Sequence, residues 1–414
     1  MLDPIIIIGA GLAGWSTARE LRKLDPGTPV LLITADSGDF YAKPSLSNAF
    51  QQKRAPAQLV TTPAAPMAQT HNVRLLTHTR VLAIDPATRT LRTTQGDFHY
   101  RQLVLATGAQ PVRLPLAGDA VEQVQSINSL DDFAAFYQRL TGPVQAEDQP
   151  QGRPRQVLIM GAGLIGCEFA NDLAVSGYGV TVVDPAAGPI AALLPQAASA
   201  QLQQALTDVG VRWHFGATVK ALSWAQAGPS DSVHAAPALK VELSNGQLAL
   251  VDIVLSAIGL KADLSLAQAA GLVCERGIVV DVTLQSSSPG IYALGDGAQY
   301  ASGRWGAALD AAAAPVAGGR TLPYVMPIMS AARALAATLA GTPTFVAFPL
   351  MPVTIKTPAL PLVVAAPKPG TAGQWRSEEP GLWQFIDAEQ HMRGFVLSGK
   401  QSARRTEQGK LVQV

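Results

Sequence analysis

The chain has 414 residues, 48% of them hydrophobic, which suits two or three domains with substantial cores. A formal net charge of +1 with only 15% charged residues excludes a basic field for nucleic acid or anionic lipid. Two cysteines, Cys167 and Cys274, are too few and too far apart for a disulfide framework, a zinc site or a C-x-x-C redox motif, and the six histidines show no metal-binding pair.

In chain order, an apolar strand is expected over 5–8, followed by Gly9, Ala10, Gly11, Leu12, Ala13 and Gly14 opening an Ala- and Leu-rich helix. This is the G-x-G-x-x-G fingerprint. Its first glycine permits a tight turn, its second lets backbone approach a pyrophosphate, and its third lets helix and strand pack closely. The pyrophosphate lies at the helix N-terminus, where unpaired amides favour an anion. The apolar run is too short for a membrane span, which needs about 20 residues. No charged leader with a cleavage site precedes it, so the expected compartment is the cytoplasm.

A second strand over 30–34 leads into a polar turn with Thr34, Ala35 and Asp36; Asp36 stands 22 residues past Gly14, near the usual ribose-binding acid. Next comes the segment Tyr41-Ala42-Lys43-Pro44-Ser45-Leu46-Ser47, and a strand over 102–106 ends in Thr107-Gly108. Residues 145–155 are rich in Pro, Gln and charge and read as an exposed connection.

The fingerprint then repeats. A strand over 157–160 precedes Gly161-Ala162-Gly163-Leu164-Ile165-Gly166 and a helix. With 37 glycines, chance alone gives about 0.3 such matches per chain, so one copy carries little and two in the same strand-to-helix context carry much. Asp184 ends the next strand, 18 residues after Gly166. Its carboxylate suits ribose hydroxyls and repels a 2′-phosphate, and no Lys or Arg occurs between it and Leu206, so NADH is the expected nucleotide. Cys167, directly after the fingerprint, reads as a small core residue.

Further on, a helix is expected over 197–209, a hairpin at Asn245-Gly246, and a hairpin insertion over 225–237. A strand over 253–257 ends in Ile258-Gly259, echoing Thr107-Gly108, and one over 290–294 runs into Gly295-Asp296-Gly297. Residues 298–319 match no regular element. A helix over 328–339 stops at Gly341-Thr342-Pro343, and short β-rich runs beyond it suggest a small α/β domain.

This order of signals resembles the two-dinucleotide flavoproteins, the pyridine-nucleotide oxidoreductases, well over 2–342 and more loosely in the tail. The resemblance implies an α/β protein with two Rossmann-like domains, for FAD and NAD, plus a small C-terminal α/β domain. The implied division is 1–115 for the first FAD part, 116–248 for NAD, 249–341 for the second FAD part and 342–414 for the C-terminal domain. Disulfide reductases of the family carry cysteine after the first βαβ turn, whereas this chain has Lys43-Pro44-Ser45-Leu46-Ser47. That segment is similar to the one in members that serve iron-sulfur ferredoxins, so the flavin is expected to pass electrons directly to an outside carrier. Runs at 33–36, 41–47, 77–81, 161–173, 291–296, 324–329 and 351–362 are similar to the rubredoxin-reducing members. The stretch 298–319 and the C-terminal end depart from them.

The implied roles follow residue by residue. Gly9 to Gly14 hold the FAD pyrophosphate; Thr34, Ala35 or Asp36 lies by the adenosine ribose; Arg80 and Val81 approach adenine through backbone. Asp296 serves the ribityl or pyrophosphate side. Val325 starts a helix whose positive end faces the flavin, and Lys43 and Lys356 are candidates for flavin contact. On the NAD side Gly161, Gly163 and Gly166 cradle the pyrophosphate, Asp184 takes the ribose, and Glu168 matches the family glutamate of the nicotinamide and flavin region. No side-chain acid, base or nucleophile is expected, since the hydride passes between cofactors. The expected partner is rubredoxin or a related small electron-transfer protein. The alternatives are a ferredoxin reductase of an oxygenase system and a flavin-binding redox sensor. A membrane quinone reductase fits less well, because the tail 399–414 is polar and basic without an apolar helical face.

Overall fold

A computed structural model describes residues 3–142, 154–225, 239–303 and 319–413. The chain divides into two compact units, one of Met1–Ala42, Val60–Gln110 and Leu260–Met351, the other of Lys43–Leu59, Pro111–Gly259 and Pro352–Val414.

The first unit is built on a five-stranded parallel sheet in the order Ile291–Ala293, Gln102–Leu105, Ile5–Ile8, Val30–Ile33, Arg74–Leu76. Ile5–Ile8 is central, with Ile5 opposite Val30 on one side and Gln102 on the other. A strand covered on both faces can be apolar at every position, and all four isoleucines are buried. The helices Leu12–Leu24 and Val325–Leu339 pack on each other, with the Ser16 hydroxyl 3.4 Å from Met329 Sδ. Trp15, fully buried in the first, donates its indole N–H to the Gly38 carbonyl at 2.9 Å. The second begins three residues earlier than its apolar pattern suggests. The unit also contains an antiparallel meander of Val81–Asp85, Thr90–Thr93 and Gly96–His99, and Ala298–Tyr300 paired in parallel with Ile278–Val280. The start of the 298–319 stretch is therefore a strand.

The second unit repeats the plan. Its parallel sheet runs Val124–Ser126, Ile253–Ser256, Gln156–Met160, Gly179–Asp184, Val211–Phe215. The helix Leu164–Val175 follows the second glycine loop, and Leu130–Thr141 starts at a capping box formed by Ser129 and Asp132. The hairpin at Asn245-Gly246 joins Leu239–Leu243 to Leu248–Val251, with Gly246 at φ +83°. The tail forms an antiparallel five-stranded sheet in the order Val353–Ile355, Leu362–Ala365, Met392–Ser398, Leu382–Asp387, Gly373–Glu379, and the helix Arg405–Leu411 ends it. The expected insertion, apart from Ala225, most of the 145–155 connection and residues 304–318 lie outside the described residues. Among the described residues no helix is long and apolar enough to cross a membrane.

Candidate functional site

The two glycine loops have one design. Gly9 sits at φ +105°, and a Cβ there would lie 2.3 Å from the Ala106 carbonyl oxygen; a Cβ on Gly14 would lie 1.9 Å from the Gly9 carbonyl oxygen. Gly161 and Gly166 repeat this, at φ +101° with 2.7 Å to Ala257 O, and at 2.0 Å to Gly161 O. The middle glycines differ. Around the Cβ positions of Gly11 and Gly163 no other atom of the described residues, apart from the glycine and its chain neighbours, lies within 4 Å. The outer glycines are thus required by the fold, whereas the middle ones keep open a cradle that a side chain would fill. Each cradle faces a helix N-terminus with neither a side-chain cap nor an acidic residue in its first turn, leaving the amides and the dipole for an anion. The residues present fit one dinucleotide pyrophosphate in each unit.

In the first unit the cradle lies beyond the C-terminal ends of Ile5–Ile8, Gln102–Leu105 and Ile291–Ala293, where doubly wound sheets bind ligands. The turn Gly295–Gly297 carries Asp296 to the same place. A Cβ on Gly295 would touch Ala13 Cβ at 3.1 Å, and one on Gly297 would lie 3.0 Å from Gly108 O. Tyr300 fixes this turn by accepting the Gly295 N–H at its hydroxyl, 2.9 Å away, and burial pushes that phenol up, keeping it protonated. Val325, 41% exposed, opens its helix at Tyr324 with no side-chain cap.

The adenosine-side residues also come together. The buried Thr34 hydroxyl donates to Asp36 Oδ1 at 2.6 Å, which also accepts the Gly38 N–H at 2.9 Å. The His78 and Thr79 N–H groups donate to the carbonyls of Asp36 and Thr34 at 3.0 and 2.8 Å, so Arg80 and Val81 follow directly beside them. Ala35 is exposed at this turn. The Arg80 N–H is occupied by Thr94 Oγ1 at 3.1 Å, so a contact from this turn to a base must use another atom.

In the second unit Asp184 holds its own loop. One carboxylate oxygen accepts the Ala162 N–H at 2.6 Å and the other the Ala186 N–H at 2.7 Å. Each oxygen keeps a lone pair for a ribose hydroxyl. Cys167 is fully buried against the Ala162 carbonyl at 3.3 Å, and burial pushes its thiol far up; the Cys274 thiol is pushed up for the same reason. Neither is poised as a thiolate.

Past the loop, Glu168 gathers residues from two distant segments. Glu168 Oε2 accepts the Ser47 hydroxyl at 2.6 Å and pairs with the Lys356 ammonium, while Oε1 accepts the Lys356 backbone N–H at 2.8 Å. The same ammonium donates to Ser47 Oγ at 3.0 Å. A buried carboxylate needs such partners, and this one has three. Lys43, at the start of the segment that supplies Ser47, is exposed and donates to Asn128 Oδ1 at 2.8 Å.

Sequence reasoning missed two neighbours of Glu168. Asn171 Oδ1 accepts the Ala359 N–H at 3.0 Å, and Asp172 accepts the N–H groups of Phe50 and Gln51 at 3.0 and 2.7 Å. The available signal was polar residues three and four positions after Glu168 on a helix otherwise almost wholly apolar.

Residues 3–313 match the family model of the pyridine nucleotide-disulphide oxidoreductases, and residues 345–411 match that of the rubredoxin binding C-terminal domain. The chain is 39% identical over 402 residues to the rubredoxin-NAD(+) reductase of Alcanivorax borkumensis, covering 96% of each. It is 42% identical over 400 residues to the nitric oxide reductase FlRd-NAD(+) reductase of Aeromonas salmonicida, covering 96% of this chain and 93% of that one. Among solved structures it is similar to the reductase in a covalent putidaredoxin reductase-putidaredoxin complex, with a TM-score of 0.81, 22% identity, and coverage of 99% and 93%. The chain belongs to the pyridine nucleotide-disulphide oxidoreductase family, with relatives that include rubredoxin-NAD(+) reductases.

Proposed function

We propose that this protein is an FAD-dependent oxidoreductase that takes electrons from NADH and delivers them to rubredoxin or a closely related small iron carrier. The observation that carries the nucleotide half is the pair of open glycine cradles, one on each parallel sheet. The acceptor half is supported by the match of 345–411 to a rubredoxin-binding domain and by the named relatives.

When bound, FAD supplies the conversion of a two-electron hydride donor into a source of single electrons. The chain's own residues bind and orient. We assign the FAD pyrophosphate to Gly9 through Gly14, the ribityl or pyrophosphate side to Asp296, the adenosine end to Thr34, Ala35 or Asp36 with Arg80 and Val81, and the positive helix end at Val325 to the flavin. NAD is assigned to Gly161, Gly163, Gly166 and Asp184. Glu168, with Ser47 and Lys356, serves the redox step, and Lys43 is the further cation assigned to it. The fourfold division at 115, 248 and 341 is the functional partition we propose. The cytoplasm is the proposed compartment, since NADH is supplied there and both cysteines are free.

The test is a comparison of acceptors. With saturating NADH, purified rubredoxin, a plant-type ferredoxin and a soluble quinone are offered at equal low concentrations, and rubredoxin should be reduced fastest. Reduction of ferredoxin or quinone tenfold faster than rubredoxin would replace the acceptor assignment with the corresponding alternative. Slow turnover with every acceptor, artificial ones included, would indicate a sensor.

A further inference from the structure

The helix Leu164–Val175 buries three polar side chains on one face, Glu168, Asn171 and Asp172, at 4%, 0% and 1% exposure. Burying two carboxylates and an amide costs stability that apolar residues of similar volume would not. Their partners explain the choice. Each of the two segments that reach Glu168 is tied to this helix twice. The first meets Glu168 through Ser47, and three residues later the amides of Phe50 and Gln51 meet Asp172. The second meets Glu168 through Lys356, and three residues later the amide of Ala359 meets Asn171. A single tether leaves a segment free to pivot; two tethers one helical turn apart fix its direction as well as its position.

We infer that Asp172 and Asn171 are positioning residues for the redox step, Asp172 setting the Ser47 hydroxyl and Asn171 the Lys356 ammonium against Glu168. This rests on the assignment of the Ser47, Glu168 and Lys356 cluster to that step. Asp172 needs both carboxylate oxygens, because it receives two amides. An asparagine offers one oxygen and turns an NH2 toward the other donor. Asn171 uses only its oxygen. Its Nδ2 is buried without a hydrogen-bond partner, a cost that packing alone does not explain.

The test uses the FAD-loaded full chain and six variants: Asp172→Asn, Asn171→Leu, Ser47→Ala, Lys356→Met, and the two doubles that combine Asp172→Asn with Ser47→Ala and Asn171→Leu with Lys356→Met. Rapid mixing with NADH reads the rate of flavin reduction, and a redox titration reads the flavin midpoint potential. Amide hydrogen exchange reads Phe50, Gln51 and Ala359. Asp172→Asn and Asn171→Leu should each slow flavin reduction about tenfold with the Kd for NADH within about twofold. Their potentials should shift in the same sense as those of Ser47→Ala and Lys356→Met respectively, and exchange should quicken at the amides each has released. In the Ser47→Ala background Asp172→Asn should not slow the reaction further, nor should Asn171→Leu in the Lys356→Met background, because the group each positions is gone. Asn171→Leu also removes the unpartnered NH2, so its unfolding midpoint should hold even if Asp172→Asn folds poorly, and it then decides alone. Unchanged rates, or slowing that multiplies undiminished onto the loss of the positioned group, Ser47→Ala for Asp172 and Lys356→Met for Asn171, would overturn the positioning role. If Lys356→Met itself leaves both rate and potential unchanged, the cluster has no part in the redox step, and the assignment beneath the inference falls with it.

Discussion

Gly163 and Gly166 stand one turn apart in a single motif and make opposite demands. Gly163 has an ordinary backbone, φ −71°, with open space where a Cβ would go, so alanine there costs the fold almost nothing and intrudes only on the open cradle. Gly166 has the Gly161 carbonyl oxygen 2.0 Å from that position. Gly163→Ala should therefore keep its unfolding free energy within about 0.5 kcal/mol of the parent while the KM for NADH rises severalfold. Gly166→Ala should lose about 3 kcal/mol or more. Urea unfolding with steady-state kinetics checks both, and an unchanged KM in Gly163→Ala would mean that the cradle holds no pyrophosphate. We assign the choice between nucleotides to Asp184. Its two oxygens are held in place by Ala162 and Ala186, so a 2′-phosphate cannot push it aside cheaply, and the repulsion is worth about a kcal/mol or more. The ratio of kcat/KM for NADH to that for NADPH should exceed about tenfold and fall toward unity in Asp184→Ser. Equal use of both nucleotides by the parent would remove the assignment.

The helix Leu164–Val175 serves three segments at once: its N-terminus faces the cradle, and its buried polar face holds the Ser47 and Lys356 segments. The first role was legible in the sequence because the fingerprint is local. The second was legible only at Glu168, because the partners come from 121, 122 and 188 residues away and no spacing rule reaches so far. The helix Leu130–Thr141 is a different omission, since Ser129-Leu130-Asp131-Asp132 spells its capping box before an apolar run. The buried face also has a consequence for stability. Burial outweighs two amides and Lys356 and pushes the Asp172 carboxyl up from 3.8 to about 6, with Glu168 adding to the rise. A folded-state pKa above the unfolded one favours the protonated native state, so this contribution is fully present below about pH 4 and is lost as pH rises through 6. Asp172→Asn cannot titrate. Relative to the parent, its unfolding free energy should therefore improve by about 2 to 3 kcal/mol from pH 4 to pH 7.5. A gap that stays constant across that range, by urea unfolding at four pH values, would show that the carboxyl is not held in this way. The form that costs stability at neutral pH is also the one that can accept both amides.

At the scale of the molecule, the two units show the same parallel-sheet plan, and this was the most legible feature of the chain: each central strand is an apolar run, and each glycine loop follows it directly. The tail was legible as β-rich but not as one ordered five-stranded sheet, because strand order depends on pairings between non-adjacent segments, such as Leu362–Ala365 with Met392–Ser398. The whole chain also bears on how many electrons the protein stores. Members of this family that use a thiol relay need reactive cysteine, and here the two thiols lie in different units, one fully buried and one half-buried, with burial raising both above their ordinary range. Storage is therefore expected to fall to the flavin alone. Anaerobic titration of the FAD-loaded protein with dithionite should consume two electrons per FAD, and the Cys167→Ala, Cys274→Ala double variant should give the same endpoint and the same rate of NADH-driven acceptor reduction. The double variant is a fair control, because alanine removes only one buried sulfur from each core and costs on the order of 1 kcal/mol per site. Uptake of four electrons by the parent, or loss of turnover in a folded double variant, would establish a thiol centre and reopen the choice of acceptor, since a thiol relay hands on electrons in pairs whereas a rubredoxin iron takes them singly.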